Sequence, residues 1–257
     1  MPTPALSFFL SNVGQTVHHL NTAVVALSGL EHGDVRKPDD LDITWKPADV
    51  VTSARKSRLF LVKSSLVFVA TALTEYVDTV VSYPCLTRPS NWSELSNAEK
   101  LVSLNRLTGS SEDYLVLGPS LLIHWRNRIV HPKSNAALSS RQRDILLKAS
   151  PEIKANYKNL DPAKLITDFE SETFTLKGAS SLVAMSINLA RRIDKSFFPP
   201  ATVDDLKEWI ETFGFSSELE AVEKSAQGEH GLKKGEMYLR TNCSFLANSY
   251  AALKRTG

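Results

Sequence analysis

The sequence predicts an all-α protein, and three observations carry that reading. Apolar residues recur at steps of three and four along most of the chain, the period of a helix with one buried face. Gly and Pro are scarce, 11 and 12 of 257 residues, about 9% where about 12% is usual. No window alternates apolar and polar residues over several successive runs, as strands require. With 42% hydrophobic residues the chain is rich enough to bury a core and too apolar for a disordered one. The expected architecture is a helical bundle over residues 1–198 with an additional N-terminal helix, followed by a helical C-terminal extension over 199–257.

Taken in order, residues 5–30 place Leu6, Leu10, Val13, Val17, Leu20, Val24 and Leu27 on one face. A polar, Pro-bearing loop follows to Pro47. Over 48–83, Leu59, Val62, Leu66, Val69, Leu73, Tyr76 and Val80 form a stripe that Phe60, Val67 and Val77 widen. A stripe that broad predicts a helix covered on more than one side, at the bundle centre, and Pro84 stops it. Residues 93–107 read as a short helix with Ser93 as N-cap. Residues 111–130 read as another, with a kink or break expected at Gly118-Pro119. Short helices at 137–149, 151–159 and 162–170 lead to a long one at 176–197, closed by Phe197, Phe198, Pro199 and Pro200. The extension opens with an amphipathic helix over 203–213, with Thr202 as cap. Beyond it the periodicity is poor up to Gly235.

Composition excludes several classes. Cys85 and Cys243 are the only cysteines and form no C-x-x-C pair, which argues against a disulfide scaffold or a cysteine zinc module. The start, Met1-Pro2-Thr3-Pro4, has no basic residue ahead of its apolar stretch, which argues against a signal peptide. The most apolar run, 59–81, is interrupted by Lys63, Glu75 and Asp78, against a bilayer need of about 20 apolar residues. The expectation is a cytoplasmic protein with no membrane contact. Glycine-rich phosphate loops, nucleophile elbows, His-Glu-x-x-His and acidic metal clusters are not found. No cofactor and no metal ion are therefore expected.

Chemistry concentrates in one segment. Residues 121–134 read Leu-Leu-Ile-His-Trp-Arg-Asn-Arg-Ile-Val-His-Pro-Lys-Ser, so two arginines, an asparagine and two histidines crowd the end of an apolar helix. At ~100° per residue, His124, Asn127, Arg128 and His131 share a face. Arg126 lies about 140° from His131 on an ideal helix. The two meet only if the helix loosens, or if a second chain contributes. Pro132 gives a reason for loosening, since it pushes His131 out of the helical region. The plain structural alternative is basic residues placed at a helix C-terminus, where they suit the dipole.

Arg126-Asn127-Arg128-Ile129-Val130-His131 resembles the signature of the HEPN superfamily (higher eukaryotes and prokaryotes nucleotide-binding domain). That signature is an Arg, usually followed by Asn, Asp or His, then a His after four to six residues. The resemblance covers about residues 50–198. It implies a helical bundle that commonly dimerises and, in many members, a metal-independent ribonuclease. Other members keep the fold without catalysis.

On that resemblance, His131 is assigned to proton transfer and Arg126 to phosphate binding and charge stabilisation. Asn127 is assigned to orienting the imidazole or touching the phosphate. Arg128, His124 and Lys133 form a second rank of RNA-binding residues. Glu75 resembles the acidic residue that some members use to order the motif. The function implied is an endoribonuclease cleaving RNA by 2′-OH attack on the adjacent phosphate. Its setting would be a toxin or defence effector, with RNA, a second copy, and an antitoxin or regulatory protein as partners. A homodimer would bring two Arg–His pairs into one cleft. The alternative within the fold is a non-catalytic module binding RNA, nucleotide or a protein, and a third reading is a helical adaptor in which the motif is coincidence.

The net charge of +2 hides opposite halves. Residues 124–158 carry eight Lys and Arg against two acids, a local +6, and 204–229 carry the reverse, −6. A basic stretch around the motif suits phosphate attraction without a basic protein overall. The acidic stretch is expected to fold over the basic surface and restrain it.

Overall fold

A computed structural model describes residues 2–83, 86–197, 203–212, 214–226, 228–242, 246–247 and 250. Pro84, both cysteines, Phe198, Pro199, Pro200, Thr202 and Phe213 lie outside them. Among the described residues the regular structure is entirely helical, as expected.

Side-chain caps start the first two helices. The Thr3 side chain accepts from the Leu6 N–H at 3.2 Å and opens α1 (Pro4–His32), which ends at Gly33 with φ 79°, a conformation that only glycine adopts freely. Asp49 caps the N–H groups of Val51 and Thr52 and opens α2 (Val50–Val81). The two helices run antiparallel: Arg58 pairs with Glu31, Phe9 stacks on Tyr76 at 5.6 Å, and the Ala5 N–H donates to the Tyr83 hydroxyl at 3.2 Å. The first helix shares the bundle's core through Ala5, Leu6, Phe9 and Val13.

From Val62 onward the broad stripe of α2 is buried, with Leu66, Val69, Leu73, Tyr76, Val77 and Val80 all inside, whereas Leu59, read as part of the same stripe, is 40% exposed. It packs on α1 and on α3 (Asn97–Leu107), α4 (Tyr114–Val130) and α8 (Leu176–Phe197). Among the described residues it is also the one helix long and apolar enough to cross a membrane by length and composition, with a mean hydropathy of 1.4 over its best 18 residues. Phe60 and Phe68 remain on its surface, 68% and 66% exposed.

Several boundaries differ from the sequence reading: the helix read over 111–130 begins at Tyr114, and those read over 137–149 and 151–159 span Ser140–Lys148 and Ser150–Asn156. Residues 92–94 form a single 3₁₀ turn, Leu95 is extended, and α3 (Asn97–Leu107) starts at Ser96 rather than Ser93. The reason is the capping box: Glu99 stands three residues after Ser96 and accepts its N–H at 2.8 Å, whereas Ser93 has a serine at that offset and no partner. Helix α4 (Tyr114–Val130) runs unbroken through Gly118-Pro119. Pro119 is only its sixth residue, so the missing N–H deprives a single carbonyl, that of Leu115. Gly118 meanwhile lets α8 approach: a Cβ there would sit 2.3 Å from Met185 Sδ.

The bundle closes with α5 (Ser140–Lys148), α6 (Ser150–Asn156), α7 (Pro162–Glu170) and α8 (Leu176–Phe197). A polar network ties three of its helices. Arg192 on α8 donates to Asp113, the cap of α4, at 2.5 and 3.1 Å, and to buried Asn105 on α3 at 2.7 Å. Such charge-assisted, bidentate bonds fix register as well as adding stability.

The extension holds α9 (Val203–Thr212), α10 (Ser216–Lys224) and α11 (Glu229–Asn242) around a separate buried cluster of Leu206, Ile210, Leu219, Leu239, Leu246, Ala247 and Tyr250. The sequence reading placed no helix over most of 214–242. There α10 and α11 meet through glycines as well as through Leu219 and Leu239: a Cβ on Gly231 would lie 2.5 Å from the Glu223 carbonyl oxygen. Acids of this unit find cations locally, with Glu220 on Lys224, Glu229 on Lys233 and Glu236 on Arg240.

Candidate active site

The C-terminal end of α4 carries the motif. His131 leaves the helix at φ −125°, ψ 87°, as the following Pro132 requires, while its N–H still donates to the Asn127 carbonyl at 2.8 Å. Regular helix therefore persists to Val130 and does not loosen between Arg126 and His131. The His131 side chain is exposed and, among the described residues, has no hydrogen-bond partner. Lys133 is exposed two residues on.

Arg126 points elsewhere. Its half-buried side chain lines a groove of about 570 Å³ with Thr71, Glu75 and Asp78 of α2, the α2 C-cap Ser82, and Asn97 of α3. Its Nη1 donates to the side-chain oxygen of Asn127 at 3.2 Å. Asn127 thus holds Arg126, rather than the His131 ring. Glu75 is exposed on the same groove without a bond to Arg126, and Asp78 is held by Lys100 at 3.2 Å. Two carboxylates beside one guanidinium leave this groove a weak phosphate site by itself.

Arg128 is engaged in the fold. Its Nε donates to the Ala136 carbonyl and its Nη1 to the Phe169 carbonyl, both at 3.1 Å, and its guanidinium stacks on the Phe169 ring at 3.9 Å. It clasps the loop after His131 onto α7. His124 lines a second groove, of about 630 Å³, between α3, α4 and the start of α5. Burial, and then the charge of Arg128, push its imidazole below the ordinary value of 6.5, while Glu99 opposes them. The structure thus separates the five motif residues. Arg126 and Asn127 form one bonded pair, His124 and Arg128 act on each other electrostatically, and His131 stands alone.

The surrounding basic stretch is partly spent. Arg143 pairs with Glu170, and Lys154 lies 3.9 Å from Asp161. Lys133, Arg141, Lys148 and Lys158 are exposed, and among the described residues none of them forms an ion pair. Sequence reasoning missed the polar face that completes the Arg126 groove, although Thr71, Glu75, Asp78 and Ser82 follow one another at steps of four and three, the signal of a single helix face. It also missed Glu99, which nothing in the local pattern connects to His124.

The chain matches no family model, no curated protein and no solved structure. The class defined by fold and site is an all-α bundle with an Arg-Asn-x3-His helix end.

Proposed function

We propose that this chain is an endoribonuclease of the HEPN type, working without a metal ion as a homodimer. One observation carries the reading: α4 delivers a free imidazole at its tip, and a guanidinium held by Asn127 one and a half turns back, on a different side. In the reaction the 2′-oxygen of RNA forms a bond to the adjacent phosphorus, and the bond from phosphorus to the 5′-oxygen breaks. His131 takes the 2′-OH proton or returns one to the leaving 5′-oxygen, a contribution of ~10²–10⁴-fold. Arg126 stabilises the charge gathering on the phosphate. One histidine does not perform both proton transfers at once, and a helix regular to Val130 keeps Arg126 from its own His131. A second copy supplies the other imidazole and the cation the groove needs. A toxin or defence role, with an antitoxin or regulator restraining it, follows from this reading.

The test is structured RNA incubated with purified protein in EDTA, beside His131→Ala and Arg126→Ala. The expected result is cleavage to 5′-hydroxyl and cyclic-phosphate ends that persists in EDTA and disappears in both variants. RNA binding with no cleavage selects a non-catalytic module of the same fold, and neither binding nor cleavage selects a helical adaptor.

A further inference from the structure

The second groove, behind α4, has a construction of its own. His124 enters it from α4 and Glu99 from α3, with Leu95, Val102 and Leu138 as apolar walls and the Ser103 hydroxyl at the side. His124 Nδ1 is buried and has no hydrogen-bond partner. An orphaned buried nitrogen is costly, and a leucine at that helical position would avoid the cost. Packing therefore does not explain a histidine here, and its other nitrogen is left as the reason for it.

The protonation pattern follows from the same geometry. A buried nitrogen without a partner is less costly as a bare lone pair than as an unpaired N–H donor or a charge. The ring is accordingly neutral with its proton on Nε2, the nitrogen that is not sealed in, and it offers one donor to the groove. Glu99 offers the acceptor. Its Oε2 is occupied by the Ser96 N–H and hydroxyl at 2.8 and 2.6 Å, which fixes the carboxylate and leaves Oε1 unengaged among the described residues. The other two ionic groups of the groove cancel, since Arg106 lies 3.6 Å from Glu112, which also accepts from Gln142 at 2.8 Å. The groove therefore keeps a net negative charge and repels phosphate.

We infer that this groove is a nucleobase pocket, in which Glu99 accepts an amino or imino N–H of a base and His124 donates to the neighbouring ring nitrogen or carbonyl. A donor beside an acceptor on a flat ring between apolar walls is what the Watson–Crick edge of an unpaired base presents. The size and the charge agree: the space takes a base, and the carboxylate turns the phosphate away towards the cations outside. Ser96, the cap of α3, and Ala98 line this pocket while Asn97 lines the Arg126 groove, so one turn of helix divides the two. This inference rests on the RNA reading and deepens it, giving the enzyme a means of choosing its base.

The test uses the four free nucleosides, which carry no phosphate, titrated calorimetrically into the full chain alongside Glu99→Gln and His124→Leu. Glutamine keeps the capping box of α3, and leucine removes the orphaned nitrogen, so thermal melting should show both variants folded. At least one nucleoside should bind with a submillimolar Kd, each variant should weaken it about tenfold, the ~1.4 kcal/mol of one hydrogen bond, and nucleosides should differ among themselves. Failure of all four to bind at millimolar concentration overturns the pocket, as does binding that both variants leave intact. Nucleoside binding without RNA cleavage upholds the pocket and removes the nuclease reading. His131-dependent cleavage without nucleoside binding does the opposite.

Discussion

Arg126 donates to the side chain of its own neighbour, Asn127, at 3.2 Å. Adjacent helical residues do not ordinarily face each other; the length of the arginine lets it reach the next residue of α4. That bond aims the guanidinium into the groove with Glu75 and fixes one of its rotors. On the proposed ribonuclease function, losing it should raise the entropic cost of gripping a phosphate. Asn127→Ala is expected to lower kcat/KM for RNA about tenfold, mostly through KM, on the basis of ~1.4 kcal/mol for the bond. Asn127→Asp retains the acceptor and should retain more activity than alanine. Equal losses in both variants would sink the positioning role.

Arg128, two residues on, has a different job. Two bonds to backbone carbonyls and a stack on Phe169 join the loop after His131 to α7. Arg128→Met removes both donors from part-buried acceptors. A stability loss of about 3 kcal/mol is expected from two charge-assisted bonds, read as a lower denaturant midpoint with an unchanged slope. A variant as stable as the parent, but defective in RNA binding, would return Arg128 to the RNA-contacting group.

In the extension, Gly231 is held against the backbone of Glu223, and the Cβ of Gly231→Ala would fall 2.5 Å from a carbonyl oxygen that has no rotamer to yield. The helices have to separate, at a cost of about 2 kcal/mol. Because Leu219, Leu239 and Tyr250 belong to a cluster separate from the bundle's, hydrogen exchange should accelerate over α10 and α11 and stay unchanged over α2 and α4. Acceleration across α2 would show that the two cores unfold together.

How much of this was legible in the sequence depends on whether a contact is local. The long helices were, because their apolar faces repeat every three or four residues, and α2 was recognisable as central from the width of its stripe. The start of α3 was encoded in Ser96 and Glu99 and was misplaced because a serine at 93 also precedes an apolar run. The α10–α11 pair was hidden because much of its close approach is made by Gly231 and Gly235, which carry no hydropathy signal. At the site, Arg126 and His131 stand out as a motif within six residues. The grip of Asn127 on Arg126 was not visible, since helical angles pair Asn127 with His131. The meeting of Glu99 and His124 across two helices has no periodic trace, and the carbonyl partners of Arg128 carry no side-chain identity at all.

His124 also sets a pH dependence whose sign follows from its burial. Desolvation, then Arg128, lower its pKa from 6.5 in the folded protein. The unfolded chain, with the ordinary value, therefore binds more protons in the window just below 6.5. Stability must fall as pH falls through that window, and it is fully present above it. In His124→Leu this contribution is absent. The difference in unfolding free energy between parent and variant should be flat above about pH 7, then shift in the variant's favour on acidification. Urea midpoints at pH 7.5, 6.5 and 5.5 measure it, and subtraction cancels the carboxylates common to both proteins. A difference that does not change across those three values would mean that His124 titrates alike in the folded and unfolded chains, and that its ring is not held neutral by burial.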